Sequence, residues 1–414
     1  MDKPNKKLKK IQTKDLTVGM YVHDVGRKWF DHPWTRKSKL VASIEDIQQL
    51  IEYGIKEVTI DLTRSASRPK EDDRTKESLK KSQKSKQVEN QIQKEPEALP
   101  DVVTFEEELP RARETYLTAL ETTREFLADA RAGREINVPK VQDNVEDIIE
   151  SAFRNRDASL ALIKLKTYDE YTLTHSLNVA VLAIGMSCHV NLSRSKIRRL
   201  GLGAILHDIG KTKVPLKILN KRSTLTEKEF RAVKSHTVVG AHMLEKTKKI
   251  PEEAILVARH HHERIDGSGY PDGISGDQID DFIAITGMSD VYDALTSDRV
   301  YRTSILPHEA LKVIFALRDI QFNSLWVERF TQCLGIYPAG TLIKLNSGEI
   351  AVVINVNRAT LLRPRIKIIF DSRGLPHTGP KTIDLSDKKY LDREVVEVLD
   401  PKPLGLDLSI YFQS

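Results

Sequence analysis

Two cysteines, Cys188 and Cys333, are the only thiols in this 414-residue chain. That excludes a disulfide framework and a thiolate zinc cluster, so a bound metal would have to be held by histidine and carboxylate. Long apolar runs are missing too. None approaches the ~20 residues of a membrane span. The opening Met-Asp-Lys-Pro-Asn-Lys-Lys has no apolar signal-peptide core. A cytoplasmic protein with no membrane partner is expected. There is no internal repeat, and no known nucleic-acid motif accompanies the net charge of +6. Much of that excess lies in the first ten residues and near 74–86, so no nucleic-acid polymer is expected as a partner.

What is present divides the chain. At this length about two or three domains are expected. Residues 1–62 read as a small α+β domain: a short apolar segment around Gly19-Met-Tyr-Val22, a helix from Ser43 to Gly54 with Ile44, Ile47, Leu50 and Ile51 on one face, and a strand over 56–62. Its His23 and His32 read as structural. Residues 63–104 are expected to be a charged flexible linker, since they are too poor in aliphatic side chains to offset their ordering entropy. Residues 105–166 read as packing or dimerisation helices, broken at Gly133 and Pro139. Residues 167–335 read as helices joined by short loops. Residues 336–414 are rich in Ile and Val, and Asn346-Ser347-Gly348 signals a hairpin, so a small antiparallel β appendage and tail are expected. The fold class is mainly α.

One stretch carries chemistry. Leu202, Ile205, Leu206 and Ile209 predict a buried helix stripe, which His207, Asp208 and Lys211 interrupt. An imidazole beside a carboxylate offers a nitrogen and an oxygen ligand from one turn, and on a helix Lys211 reaches the same neighbourhood. A lone His-Asp of this kind is as often structural. However, His175, His236, the pair His261-His262 and Asp290 also sit on or at the ends of apolar stripes. Together these seven nitrogen and oxygen donors suit two divalent transition-metal ions, iron or manganese. His189, His242 and His308 show that the region has histidines to spare, and His260 is a further candidate ligand. Asp290 and Asp293 lie one turn apart, where two carboxylates repel unless a cation lies between them or one faces solvent.

Five segments, in order, resemble the HD-GYP domain, the HD-superfamily subgroup that hydrolyses cyclic dinucleotides in bacteria. They are Tyr-Thr-Leu-Thr-His175-Ser-Leu-Asn-Val-Ala, Leu-His207-Asp208-Ile-Gly-Lys211, His236 with Gly240, His261-His262-Glu-Arg-Ile-Asp-Gly-Ser-Gly269-Tyr270-Pro271, and Asp290-Val-Tyr-Asp293 through Arg299 to Arg302. The resemblance implies an HD-type phosphohydrolase domain in which His175, His207, Asp208, His236, His261, His262 and Asp290 bind a metal pair. It places Lys211 near the bridging water and the scissile phosphate. Gly269, Tyr270 and Pro271 would shape the substrate pocket, and Arg299 and Arg302 would contact phosphate or guanine. Lys211 and Asp208 are the expected catalytic residues, with Asp293 supporting a ligand from behind. The segment around Gly19 to Val22 also resembles the small domain often found ahead of HD-GYP domains.

Some members of the family hold a third metal with a Glu one turn before the first histidine. Here that position is Tyr171, a poorer ligand because a phenol has a pKa of ~10. Two metals are therefore expected, with Asp169 or Glu170 able to shift in. The expected activity is hydrolysis of cyclic di-GMP to linear pGpG, with any second cut to GMP slow enough that pGpG accumulates. The alternatives are the same reaction on 3′,3′-cyclic GMP-AMP, or a non-catalytic nucleotide-binding adaptor. The expected partners are the cyclic dinucleotide, a second copy of the chain, and signalling proteins.

Overall fold

The computed structural model describes residues 8–13, 16, 20–24, 39–41, 47, 55, 57–61, 102–164, 171–221, 223–298, 304–406, 408 and 411. The chain divides into two compact units, Met1–Glu95 and Pro96–Ser414.

In the first unit, strands β1 (Leu8–Gln12), β2 (Tyr21–Asp24), β3 (Lys39–Leu40) and β4 (Glu57–Asp61) form one sheet in the order β1-β4-β2-β3. All its pairings are antiparallel. Val22, Val58 and Ile60 alternate onto one face and bury with Leu16, Val41, Ile47 and Ile55. Ile47 is helical, whereas the rest of the helix expected from Ser43 to Gly54, and His32, lie outside the described residues. So does the expected linker, apart from 102–104.

The second unit opens on helix α1 (Phe105–Ala132). Thr104 and Glu107 form a reciprocal capping box at its start, and Gly133, at φ 74°, closes it. Helix α2 (Val138–Arg154) starts on Asn137 with Pro139 in its first turn, as the break at Gly133 and Pro139 predicts. Next come α3 (Tyr171–His189), α4 (Arg194–Leu206), α5 (Glu227–Lys234), α6 (His236–Glu245), α7 (Glu252–His260), α8 (Asp281–Thr296), α9 (Pro307–Ala316) and α10 (Ser324–Leu334). Helix α3 is the axis of this unit: every residue from Leu173 to His189 is buried, and α1, α2, α4, α8 and α10 pack round it. A helix apolar on all sides has to be central. Phe105, Tyr116, Phe126 and Val145 belong to the same hydrophobic core as Leu177, Leu206 and Met288. The helices before residue 167 thus complete the core that carries the site.

The C-terminal sheet is antiparallel, with strands β5 (Leu342–Leu345), β6 (Ile350–Asn355), β7 (Arg365–Phe370), β8 (Pro376–Asp384) and β9 (Val395–Leu399) in the order β8-β7-β6-β5-β9. The β5–β6 hairpin turns at Gly348, at φ 90°. Among the described residues no helix is long and apolar enough to cross a membrane.

Because the chain separates at residue 95, a chain lacking residues 1–100 is expected to stay folded and metal-bound. Circular dichroism and elemental analysis check this, and an insoluble or metal-free product would contradict it.

Candidate metal centre

Five chain segments deliver the predicted ligands to one buried point. The first is α3, on which His175 is buried. The second is the end of α4. Here the structure corrects the expected continuous helix: α4 stops at Leu206, His207 caps it, and a 3-10 turn runs over Ile209–Lys213. Asp208 sits at the break with φ −100° and ψ 10°. The tighter turn still returns Lys211 to Asp208, its Nζ donating to Oδ2 at 2.5 Å.

The break depends on Gly210. A Cβ there would lie 1.9 Å from the His236 carbonyl oxygen and 2.7 Å from Gly240 N. Only glycine lets the turn lie flat on α6, and Gly240 supplies the matching gap. The third segment is the start of α6. The Thr226–Glu229 capping box opens α5, which ends at Lys234, and His236 begins α6 as a separate helix. His261 caps α7 with His262 beside it, and Asp290 and Asp293 come from α8.

Asp208 is the centre of the cluster. Its Oδ2 lies 3.3 Å from His207 Nε2 and 3.6 Å from His175 Nε2. Its Oδ1 lies 3.3 Å from His236 Nε2 and 3.7 Å from His261 Nε2. Asp290 reaches His175 Nε2 at 3.0 Å with Oδ1 and His262 Nδ1 at 3.6 Å with Oδ2. Two sets of donors result, His175-His207-Asp208 and Asp208-His236-His261-His262, and they share Asp208. His189, His242 and His308 join neither.

The imidazoles are turned to ligate. His207 donates Nδ1–H to the Ala204 carbonyl at 2.7 Å and His236 donates Nδ1–H to that of Val233 at 2.7 Å. His261 donates Nδ1–H to Val257 and Ala258, both at 3.1 Å. This tautomer leaves the three Nε2 lone pairs facing Asp208. His236 Nε2 and His261 Nε2 are only 3.3 Å apart, a separation natural for two ligands of one cation. His207 Nε2 and Asp208 Oδ1 are buried and find no hydrogen-bond partner among the described residues. Such groups are costly without a partner, and a divalent metal would satisfy both.

The electrostatics agree. Burial pushes His236 down to about 4 and His262 down to about 3, and His261 well below its ordinary value. All three are neutral donors at pH 7. Burial works against the charge of Asp208, but Lys211 and His207 hold its carboxyl well below the usual range.

Asp293, expected behind a ligand, does hold one from behind, and two residues not singled out in the sequence, Asn178 and Tyr116, hold Asp293 in turn. Asp293 Oδ2 accepts from His175 Nδ1 at 2.8 Å and from Ser297 Oγ at 3.1 Å. Asp293 Oδ1 accepts from Asn178 Nδ2 at 2.9 Å, and Tyr116, on α1, donates to Asn178 Oδ1 at 2.7 Å. Asn178, a polar residue in an apolar helix one turn beyond His175, was the available signal.

The Gly269–Pro271 loop lies against the cluster. The Tyr270 ring is 4.7 Å from that of His262, and Lys234 Nζ sits 4.7 Å over Tyr270. A Cβ on Gly269 would meet Glu263 Cα at 2.4 Å, so the loop is pressed onto the backbone that carries His262. Asp169, Glu170, Arg299, Arg302 and the side chain of Tyr171 lie outside the described residues.

The chain matches three described families: a domain of unknown function (DUF3391) over residues 8–141, an HD domain over 146–322, and a KOW domain associated with HD domains over 342–405. It is 36% identical over 389 residues to the cyclic di-GMP phosphodiesterase PA4108 of Pseudomonas aeruginosa, covering 94% of this chain and 91% of the relative. It is 37% identical over 144 residues to 3′3′-cGAMP-specific phosphodiesterase 3 of Vibrio cholerae, covering 35% of this chain and 31% of that one. Among solved structures, Bd1817, an HDG"Y"P protein from Bdellovibrio bacteriovorus, aligns with a TM-score of 0.47 at 16% identity, covering 79% of this chain and 99% of that one.

Proposed function

This chain belongs to the HD-GYP family of HD-domain phosphodiesterases, and from that premise we propose that it hydrolyses cyclic di-GMP to linear pGpG. The observation that carries the reading is Asp208, whose two carboxylate oxygens face separate histidine pairs. That arrangement suits two ions, one held by His175, His207, Asp208 and Asp290, the other by Asp208, His236, His261 and His262. Imidazole and carboxylate donors suit iron or manganese. Such a pair, when bound, polarises phosphoryl oxygens and lowers the pKa of a water between the ions.

The chain's own residues supply the rest. Lys211 is partly exposed beside Asp208, where its ammonium can neutralise charge developing on a phosphate or protonate the departing ribose oxygen, directly or through a water. Asp293, through His175 Nδ1, fixes which nitrogen of that ring is offered. Tyr270 and Lys234 stand beside His262 and Tyr270 respectively, where a dinucleotide could meet an aromatic face and a cation. Arg299 and Arg302 are proposed as further phosphate or guanine contacts.

Turnover of cyclic di-GMP and of 3′,3′-cyclic GMP-AMP by the purified, metal-assayed protein tests this reading. The expected result is chelator-sensitive hydrolysis, faster on cyclic di-GMP, with pGpG accumulating. A preference for cyclic GMP-AMP would reassign the substrate. No turnover of either nucleotide by fully loaded protein would leave a binding module and overturn the proposal.

Lys211→Ala is expected to keep the metals, because the ammonium does not ligate, but to lower kcat on the order of a hundredfold. Wild-type turnover in that variant would make the lysine structural.

A further inference from the structure

We propose that His260, Glu263 and Asp272 form a separate divalent-metal site at the foot of the Gly269–Pro271 loop. Donor atoms of the three lie within 4.8 Å of one another, and the group shares no residue with the two sets that meet at Asp208.

The distances favour a cation over direct contacts. His260 Nδ1 is 3.6 Å from Asp272 Oδ2 and 3.8 Å from Glu263 Oε1. Both are too long for hydrogen bonds. They are natural separations for two ligands flanking one ion at about 2.1 Å. His260 and Glu263 are 9% and 5% exposed, yet among the described residues His260 Nδ1 and Glu263 Oε2, both buried, find no hydrogen-bond partner. A donor-capable nitrogen and a carboxylate oxygen are thus withheld from water and from each other, which is costly unless something lies between them.

The two carboxylates are preorganised from outside. Glu263 Oε1 accepts from the backbone N–H groups of Asp272, at 2.7 Å, and Gly273, at 3.0 Å. Asp272 is gripped by the Arg259 fork, with Nε at 2.7 Å and Nη2 at 2.9 Å. Each carboxylate oxygen has two lone pairs, so these bonds leave acceptor capacity facing His260. Two carboxylates, one guanidinium and a neutral imidazole leave one negative charge, which a divalent cation offsets. One imidazole with two carboxylates suits a first-row transition ion such as Mn2+ or Zn2+.

The site has a consequence for the loop. His260 and Glu263 flank the ligands His261 and His262, while Asp272 directly follows Pro271. An ion held by all three would pin the loop to the ligand-bearing segment. That this sharpens substrate binding rests on the loop being a pocket wall, as proposed above; the metal site itself does not.

Equilibrium dialysis of the full chain against Mn2+, with ions counted per folded chain, tests the proposal. Asp272→Asn and His260→Gln should each bind one Mn2+ fewer than the unaltered chain, while Asp208→Ala should lose ions from the other cluster and keep this one. Asp272 is exposed, so its substitution is decisive if His260→Gln folds poorly. If both variants bind as many ions as the unaltered chain, only a water bridges these groups and the proposal fails. If the counts differ as expected while no cyclic dinucleotide is hydrolysed, the metal site stands and the substrate reading falls.

Discussion

Asp208→Ala is expected to abolish hydrolysis, lowering turnover by ~10^3-fold or more, and to strip the metal while leaving the helical fold in place. The magnitude follows from losing several kcal/mol of charge stabilisation at the reacting phosphate, at about 1.4 kcal/mol per tenfold. The reason lies in its position: among the described residues this carboxylate alone faces all of His175, His207, His236 and His261, so its loss disables both donor sets at once. The fold should tolerate the change, because His236, His261 and His262 are already neutral and the surrounding core of Leu177, Leu206 and Met288 does not depend on the carboxylate. His207→Ala should behave alike. Elemental analysis, circular dichroism and a turnover assay on cyclic di-GMP decide it. Full activity in either variant would sink the assignment of the centre.

The donors that cluster at Asp208 were legible because each candidate is a polar residue in or at the end of an apolar stripe, a conflict that local sequence exposes. Local geometry was less so. His207 and Asp208 lie at a break between a helix and a 3-10 turn, because Gly210 must meet α6 at a distance no other residue permits; nothing within the stretch itself announces that neighbour. Asp293 could be suspected from its spacing to Asp290, but its link through Asn178 to Tyr116 joins residues 62 apart in sequence. No periodicity encodes such a contact, and Tyr116 alone reads as one more member of an apolar face. Strand β8 is equally hard to read from local sequence. Pro376-His-Thr-Gly-Pro-Lys-Thr-Ile-Asp lacks apolar alternation, and it pairs only along one side, with β7, at the sheet edge where proline is tolerated.

The second large effect concerns pH. Burial works against a charge on His175, but hydrogen bonds to Asp290 and Asp293 outweigh it and push the group up to about 9. In the metal-free protein at pH 7 this ring therefore carries protons on both nitrogens, one toward Asp293 and one toward Asp290. An ion taking Nε2 must displace the second. The sign follows: metal binding should release about one proton per chain from this group, and apparent affinity should rise about tenfold per pH unit from 7 upward. The rise should level off as pH passes about 9, where His175 is neutral without help. His236 and His262, at about 4 and about 3, are neutral throughout this window and add nothing to the slope. Asp293→Asn removes one of the two charges holding the proton. It should flatten the slope while costing on the order of 10–100-fold in affinity through lost ring orientation. Calorimetric titration of Mn2+ into chelator-stripped protein, in two buffers of different ionisation enthalpy, reads the proton directly. Identical heats in both buffers at pH 7, or an affinity flat between pH 7 and 9, would mean that His175 enters the site already neutral and that its two carboxylate neighbours do not hold the proton the geometry assigns to it.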